Sequence, residues 1–167
     1  MSNAKYPYQG DFKYLDENGW PECPGDDVCP GPCDESCPIV ASEKACELYL
    51  EHGDYQVARD LLMKAIVRIP DELYPAAWHL LGNINLRMGY YTSADNCYRA
   101  AYDIDRSCKE ALVGGLITSA CLNRFDQAEI ICKHYVEEFG EDDYFIKTRE
   151  RYLERKEWYM KQGGKQE

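Results

Sequence analysis

From residue 39 to residue 161, apolar side chains recur mostly at spacings of three, four and seven residues, with polar and charged side chains between them. This period is typical of α-helices that bury one face. Glycines and prolines interrupt the pattern at short intervals and divide it into helix-length segments. The fold is therefore predicted to be all-α. The predicted helices cover residues 38–52, 54–69, 75–88, 91–104, 108–122, 125–138 and 142–161.

The predicted helix ends rest on residues that favour or forbid helical backbone. Pro38 suits a first helical turn, because its missing N–H would have no partner there. Gly53 and Gly89 follow helical segments, and glycine commonly ends a helix. Residues 1–38 contain so many prolines and glycines that no helical period survives. We therefore predict a non-helical segment that is rich in cysteine, proline and glycine at this end of the chain.

A longer period relates the helix pairs to one another. Alanines at positions 58, 94 and 128 recur at nearly equal intervals and take the same place in the second helix of each pair. The middle pair shows the fullest pattern of shared positions. It reads Trp78…Leu81-Gly82…Gly89-Tyr90-Tyr91…Ala94…Tyr98…Ala101.

This pattern resembles the tetratricopeptide repeat, a family with a period of about 34 residues. About three such repeats are recognisable over residues 39–142, most clearly at residues 75–108. The resemblance implies antiparallel helix pairs stacked into a right-handed superhelical array, because one pair cannot bury its apolar face alone. In the middle repeat, the side chains expected to be largely buried are Trp78, Leu81, Ala94, Tyr98 and Ala101.

Residues 143–167 are expected to form a C-terminal capping helix and a frayed tail. Repeat arrays need such a helix to cover the apolar face of the last pair. Its charged residues would then face solvent. The side predicted to lie on the third repeat carries Tyr144, Phe145, Tyr152 and Leu153.

The resemblance also implies a partner-binding groove, because the first helix of each pair lines the concave face in this family. The groove positions carried over are Glu43, Glu47 and Glu51 in the first repeat, His79, Asn83 and Arg87 in the second, and Val113, Ile117 and Cys121 in the third. Family members that grip acidic chaperone tails use lysine, arginine and asparagine, whereas the first stripe here is acidic and the third is apolar. A protein or peptide partner of basic character is therefore expected.

The N-terminal segment contains four thiols within fifteen residues, separated by turn-forming residues. They are Cys23, Cys29, Cys33 and Cys37. Four thiolates on tight loops are typical ligands of structural zinc, although the spacings of five, three and three residues are not those of paired zinc knuckles. An iron–sulfur cluster is the less favoured interpretation with metal. Two disulfides, or free thiols, are the alternatives without metal.

The remaining cysteines are interpreted as structural. Cys46, Cys97 and Cys132 fall at helix positions where the repeat family packs small or apolar side chains, and free cysteine is commonly buried as a small hydrophobe. Cys46 lies nine residues after Cys37, so a role as substitute metal ligand is its alternative.

The bulk composition excludes several classes of function. The net charge of −11 would repel phosphate backbones, so nucleic acid is not an expected partner. No apolar run is long enough to cross a bilayer, and the N-terminus does not resemble a secretory signal. Nine cysteines without an export signal favour a reducing cytoplasm. No phosphate loop, nucleophile elbow or metalloprotease motif occurs, so no enzyme activity is predicted.

The sequence thus favours a protein-interaction module, acting as an adaptor, assembly factor or accessory subunit. Two alternatives stay open. The length, the repeats and the acidic balance also resemble the small helical-repeat chaperones of bacterial type III secretion, which have no counterpart to the cysteine segment. A redox accessory protein with an iron–sulfur cluster in that segment is the third possibility.

Overall fold

The computed structural model describes residues 38–66 and 75–164, apart from the side chains at positions 38, 39, 42 and 43. These residues form an all-helical fold, as the sequence predicts. Within them no helix is both long and apolar enough to span a bilayer. The helices are α1 (Pro38–Glu47), which continues as a single π-helical turn (Leu48–His52), α2 (Tyr55–Ile66), α3 (Pro75–Arg87), α4 (Tyr91–Ile104), α5 (Lys109–Cys121), α6 (Phe125–Phe139) and α7 (Asp143–Lys161).

The turn inside each helix pair contains one residue in the left-handed backbone conformation. Gly53, Gly89 and Asn123 all have positive φ, at 68°, 79° and 58°. Each lies five residues before the buried alanine of the following helix, so the turns repeat with the same spacing as the alanines. Glycine adopts this conformation at little cost, and asparagine tolerates it better than most residues.

The first helices of the later pairs begin at positions 75, 109 and 143, so their starts are evenly spaced along the chain. This places α7 in the register of a further first helix, and it packs on α5 as α5 packs on α3. The C-terminal helix therefore extends the row of first helices. This position makes α7 part of the same face of the molecule as α3 and α5.

The middle pair has the predicted core. Ala94 and Ala101 have no exposed surface, and Leu81 and Tyr98 are each 1% exposed. Trp78 is partly buried and packs against the core, so it is less enclosed than the other four residues. An indole ring is large and is rarely enclosed completely.

The buried side of α7 differs in part from the predicted one. Phe145 and Tyr152 are buried as expected, and Thr148 lies between them on the same side of the helix. Tyr144 and Leu153 are 57% and 46% exposed, so they do not lie in the contact with the third pair. The spacing of apolar residues in α7 allowed two helix faces, and packing selected the face that stacks Phe145 on the last pair.

A carboxylate joins α5, α6 and α7. Asp142 caps α7 by accepting a hydrogen bond from the backbone N–H of Phe145 at 2.8 Å. Its other oxygen accepts from Lys109 Nζ at 2.6 Å and from the hydroxyl of Tyr135 at 2.8 Å. These donors, led by the Lys109 ammonium, lower the pKa of Asp142 from 3.8 to about 2. These contacts of Asp142, which we call the joint, fix where α7 begins.

Arg155 of α7 makes a second set of hydrogen bonds between α7 and α5. Arg155 Nε donates to the carbonyl oxygen of Ala120 at 2.6 Å, and Arg155 also reaches Asn123 Oδ1 at 3.3 Å. The last carbonyls of a helix have no partner within the helix and carry partial negative charge. Arg155 therefore adds a charged donor to a carbonyl at the C-terminus of α5 that also accepts from the Asn123 N–H.

Candidate functional site

The first helices enclose a cavity of about 820 Å³ on one face of the described part of the chain. Its walls come from the π-helical turn after α1, from α3 and α5, and from the first turn of α7. The second helix α4 contributes its beginning and one side chain that passes between α3 and α5. Ligand sites in proteins are usually concave and of this size. The cavity is therefore the candidate binding site.

Four tyrosines from three different elements meet in this cavity. They are Tyr49, Tyr91, Tyr98 and Tyr144. Tyr98 is almost fully buried, and its hydroxyl donates to Asn83 Oδ1 at 2.8 Å. Burial raises the pKa of Tyr98 well above 10, and the phenols of Tyr49 and Tyr144 are near enough to add to the shift. Tyr98 is thus a neutral hydrogen-bonding group.

Two glycines allow Tyr98 to reach the cavity from α4. A Cβ built on Gly82 of α3 would lie 2.7 Å from the nearest ring carbon of Tyr98, and one built on Gly114 of α5 would lie 2.5 Å from it. Real Cβ contacts are not this short, so the ring occupies space that only glycine leaves. The α3 and α5 backbones therefore hold the Tyr98 ring between them and orient its hydroxyl.

The polar groups of the cavity are distributed along its length. Arg87 is exposed in the last turn of α3, whereas Lys109 and Glu110 lie in the first turn of α5. Because α3 and α5 are both first helices of stacked pairs, these termini lie toward opposite ends of the cavity. His79 is only 4% exposed, and burial lowers its pKa to about 4. The imidazole is therefore uncharged at neutral pH.

The acidic stripe expected on α1 does not line the cavity. Glu47 and Glu51 are exposed on another side of the helix, and Tyr49 takes their place in the cavity wall. The stripe assumed a continuous α-helix, whereas residues 48–52 form a π-helical turn. Such a turn holds an extra residue and rotates the positions around it. The side chain of Glu43 lies outside the described residues.

Most of the positions carried over for the other two repeats do meet in the cavity. His79, Asn83 and Arg87 line it from α3, and Ile117 and Cys121 line it from α5. Val113 is 1% exposed and packs into the interior instead. The third stripe therefore contributes one aliphatic side chain and one thiol to the wall.

The structure also bears on the candidate metal ligands. Cys23, Cys29, Cys33 and Cys37 lie outside the described residues. Cys46 is fully buried, and burial raises its pKa to about 12. Cys46 is therefore a core residue, as the structural interpretation expects, and its alternative role as a metal ligand stays a prediction. Cys97 is buried as expected, whereas Cys132 is only partly buried.

One other group of possible ligands is present in the described part of the chain. Oxygen or nitrogen atoms of Glu47, Glu51 and His52 lie within 4.8 Å of one another. All three side chains are exposed to solvent, and Glu47 lies 3.9 Å from His52 as an ion pair when the imidazole is protonated. An exposed cluster of this kind is common without a metal, and the group lies outside the cavity.

Sequence reasoning did not identify Tyr49, Lys109, Glu110 and Tyr144 as cavity residues. Tyr144 follows Glu110 by the same interval that separates the starts of α5 and α7. The repeat period could therefore have found Tyr144 if α7 had been treated as a first helix rather than as a cap. For Tyr49 no such signal exists, because the π-helical turn breaks the period.

Comparison with known families supports this description of the central helices. A family model of the tetratricopeptide repeat matches residues 75–108, the span of α3, α4 and the turn that follows them. A comparison with curated proteins found no match. Tetratricopeptide repeats are typically non-catalytic modules that bind other proteins. The match therefore suggests a protein-interaction module.

Proposed function

We propose that this chain is an interaction module whose cavity binds a segment of a partner protein. It would act as an adaptor, assembly factor or accessory subunit of a larger complex. The observation that carries the proposal is the cavity of about 820 Å³ on the row of first helices. The match to the tetratricopeptide repeat supports a protein as the partner.

The chemistry of the lining suits a protein segment. Tyrosine and arginine are enriched where proteins meet, because they offer large contact areas together with hydrogen bonds. Tyr49, Tyr91 and Arg87 place such groups at the cavity surface. The net charge of −11 favours a partner of basic character, because opposite charges speed the encounter of two proteins. Salt screens this attraction, so binding should weaken as the salt concentration rises.

The experiment compares two adjacent tyrosines. Peptides are selected from a displayed random library on the full-length chain, and their affinities are then measured for Tyr91→Ala, Arg87→Ala and Tyr90→Ala. Tyr91 and Arg87 line the cavity, whereas Tyr90 is exposed outside it and lies near Arg59. We expect each cavity variant to weaken binding about tenfold or more, as for residues that dominate an interface.

Tyr90→Ala is the matched control, because it removes an exposed ring one residue away. It should bind the selected peptides as the parent chain does. Peptides that bind all three variants equally well would show that the cavity is not the binding site. Binding that strengthens as salt rises would contradict a basic partner.

A separate part of the proposal concerns the N-terminal cysteines. We propose that Cys23, Cys29, Cys33 and Cys37 hold one zinc ion, a proposal that rests on their number and their turn-rich spacing. Metal analysis of protein purified without oxygen should find about one zinc per chain, lost in Cys29→Ser but kept in the control Cys121→Ser. Iron and a brown colour would instead support the redox accessory protein, and absence of metal would refute both.

A further inference from the structure

The carboxylate of Glu110 is incompletely satisfied within the described part of the chain. Its Oε2 atom is buried and has no hydrogen-bond partner there. The Glu110 backbone N–H donates a hydrogen bond to the same side chain, which is a local contact at the start of α5. Burial raises the pKa of the carboxyl, although this hydrogen bond and the charge of Lys109 oppose the shift. A buried acceptor without a donor is costly, so the site favours a group that brings one.

The neighbouring cation is already engaged elsewhere. Lys109 Nζ lies 2.6 Å from Asp142 Oδ2, in the joint that caps α7. This contact engages the ammonium, although its charge still lowers the pKa of Glu110. The adjacent residue therefore leaves the Glu110 carboxylate as an acceptor at the cavity wall.

Aromatic rings surround the same part of the cavity. Tyr98 and Tyr144 line the wall with Glu110, and the Glu110 charge is near enough to add to the burial effect that raises the pKa of Tyr144. The face of a phenol ring attracts a cation through its negative quadrupole. A carboxylate beside the exposed ring of Tyr144 is a combination that selects a cationic group with an apolar stem.

We propose that the Glu110 end of the cavity receives a lysine or arginine side chain of the partner protein. This inference rests on the proposed function and names the contact that would give the partner its basic character. The methylene stem lies against the exposed ring of Tyr144, and the charged head pairs with the carboxylate of Glu110, which is only partly buried. The rest of the partner segment extends along α3 and α5 toward Arg87.

The chemistry of the site favours this occupant over others. An anionic side chain would meet the Glu110 carboxylate, and a neutral apolar side chain would leave Oε2 buried without a donor. A bare metal ion would have a single carboxylate beside phenols, whereas metals take several ligands at once. A lysine or arginine side chain supplies both the charge-assisted hydrogen bond and the apolar surface.

The test uses the selected peptides and small fragments in parallel. Each lysine or arginine of a selected peptide is replaced in turn by norleucine, which keeps the stem and removes the charge. One such position should lose about tenfold or more in affinity, and Glu110→Gln should lose a similar factor. Glu47→Gln is the matched control, because it removes an exposed carboxylate outside the cavity and should leave affinity unchanged.

Fragments separate this inference from the proposed function. N-acetyl-lysine methylamide and its norleucine analogue are titrated into isotope-labelled full-length chain and followed by NMR. The lysine fragment should shift the backbone signals of Glu110, Gly114 and Tyr144 more than the norleucine fragment does, and Glu110→Gln should abolish the difference. Equal shifts, or peptides that bind in the cavity but tolerate every norleucine replacement, would overturn this inference alone. Peptides that ignore the cavity variants would instead refute the proposed function.

Discussion

The close contact of Tyr98 with two helix backbones makes a quantitative prediction about glycine. Gly114 and Gly115 are adjacent in the interior of α5. A Cβ at Gly114 would come within 2.6 Å of three ring carbons of Tyr98, whereas one at Gly115 would meet only Ile131 Cδ1 at an ordinary 3.5 Å. The same substitution at the two positions therefore separates steric overlap from helix propensity.

Two opposing effects, helix propensity and overpacking, set the expected change in the free energy of unfolding. Alanine in place of glycine in a helix interior stabilises by about 0.5–1 kcal/mol. At Gly114 overpacking costs about 1–3 kcal/mol, because the fully buried Tyr98 ring cannot move away freely. Gly115→Ala should thus raise the free energy of unfolding. Gly114→Ala should leave that free energy unchanged or lower it by up to about 2 kcal/mol, which is the overpacking cost less the gain in helix propensity.

Urea unfolding followed by far-UV circular dichroism measures the difference. We expect Gly114→Ala to be less stable than Gly115→Ala by about 1–3 kcal/mol, with unchanged dependence on urea. Gly82→Ala, which meets Tyr98 at 2.7 Å from the other side, should resemble Gly114→Ala. If Gly114→Ala proved as stable as Gly115→Ala, the Tyr98 ring would not be held between the two helices.

Three further predictions concern α7. Asp142→Ala should lower stability by about 1–2 kcal/mol more than Asp142→Asn, because asparagine still caps the helix. The parent chain should have a larger free energy of unfolding than Asp142→Asn above pH 3.8, the ordinary pKa of the carboxyl. This difference should be lost as pH falls through about 2, because folding lowers the pKa of Asp142 to that value. If stability depended on pH in the same way in both proteins, the prediction would be contradicted. Arg155→Ala should destabilise by about 1–3 kcal/mol through the carbonyl of Ala120, whereas thermal melts should show little effect of the exposed Arg151→Ala. A chain truncated after Glu141 would expose the surface that Phe145 and Tyr152 cover and should aggregate in light scattering; a stable monomer would refute the capping role.

The features that the sequence predicts depend on the backbone preferences of single residues and on the repeat period. Helix ends follow from residues such as Gly53 and Gly89, whose backbone preferences act within a few positions. The burial of Ala94 and Tyr98 follows from a period that repeats along the chain. These features depend on near neighbours in sequence, so they are visible without a structure.

The rotation of each helix about its axis was not predictable in the same way. The spacing of Tyr144, Phe145, Tyr152 and Leu153 fits two faces of α7, and only the stacking of Phe145 on Tyr135, with ring centroids 4.1 Å apart, selects one. In α1 the π-helical turn brings Tyr49 to the cavity where a regular helix would have presented Glu47 and Glu51. A rotation of one residue is about 100° and changes which side chain faces a partner.

The amino-acid sequence by itself determined that the described chain is helical and that its middle pair is a tetratricopeptide repeat, because both depend on local period and turn chemistry. Tertiary structure alone decided which side chains form the cavity. Glu110 and Tyr144 are a full repeat apart in the chain and belong to different helices, and they meet because α5 and α7 pack in parallel register. The carboxylate loses its water only when those helices come together, so the chemistry of the site is a product of packing.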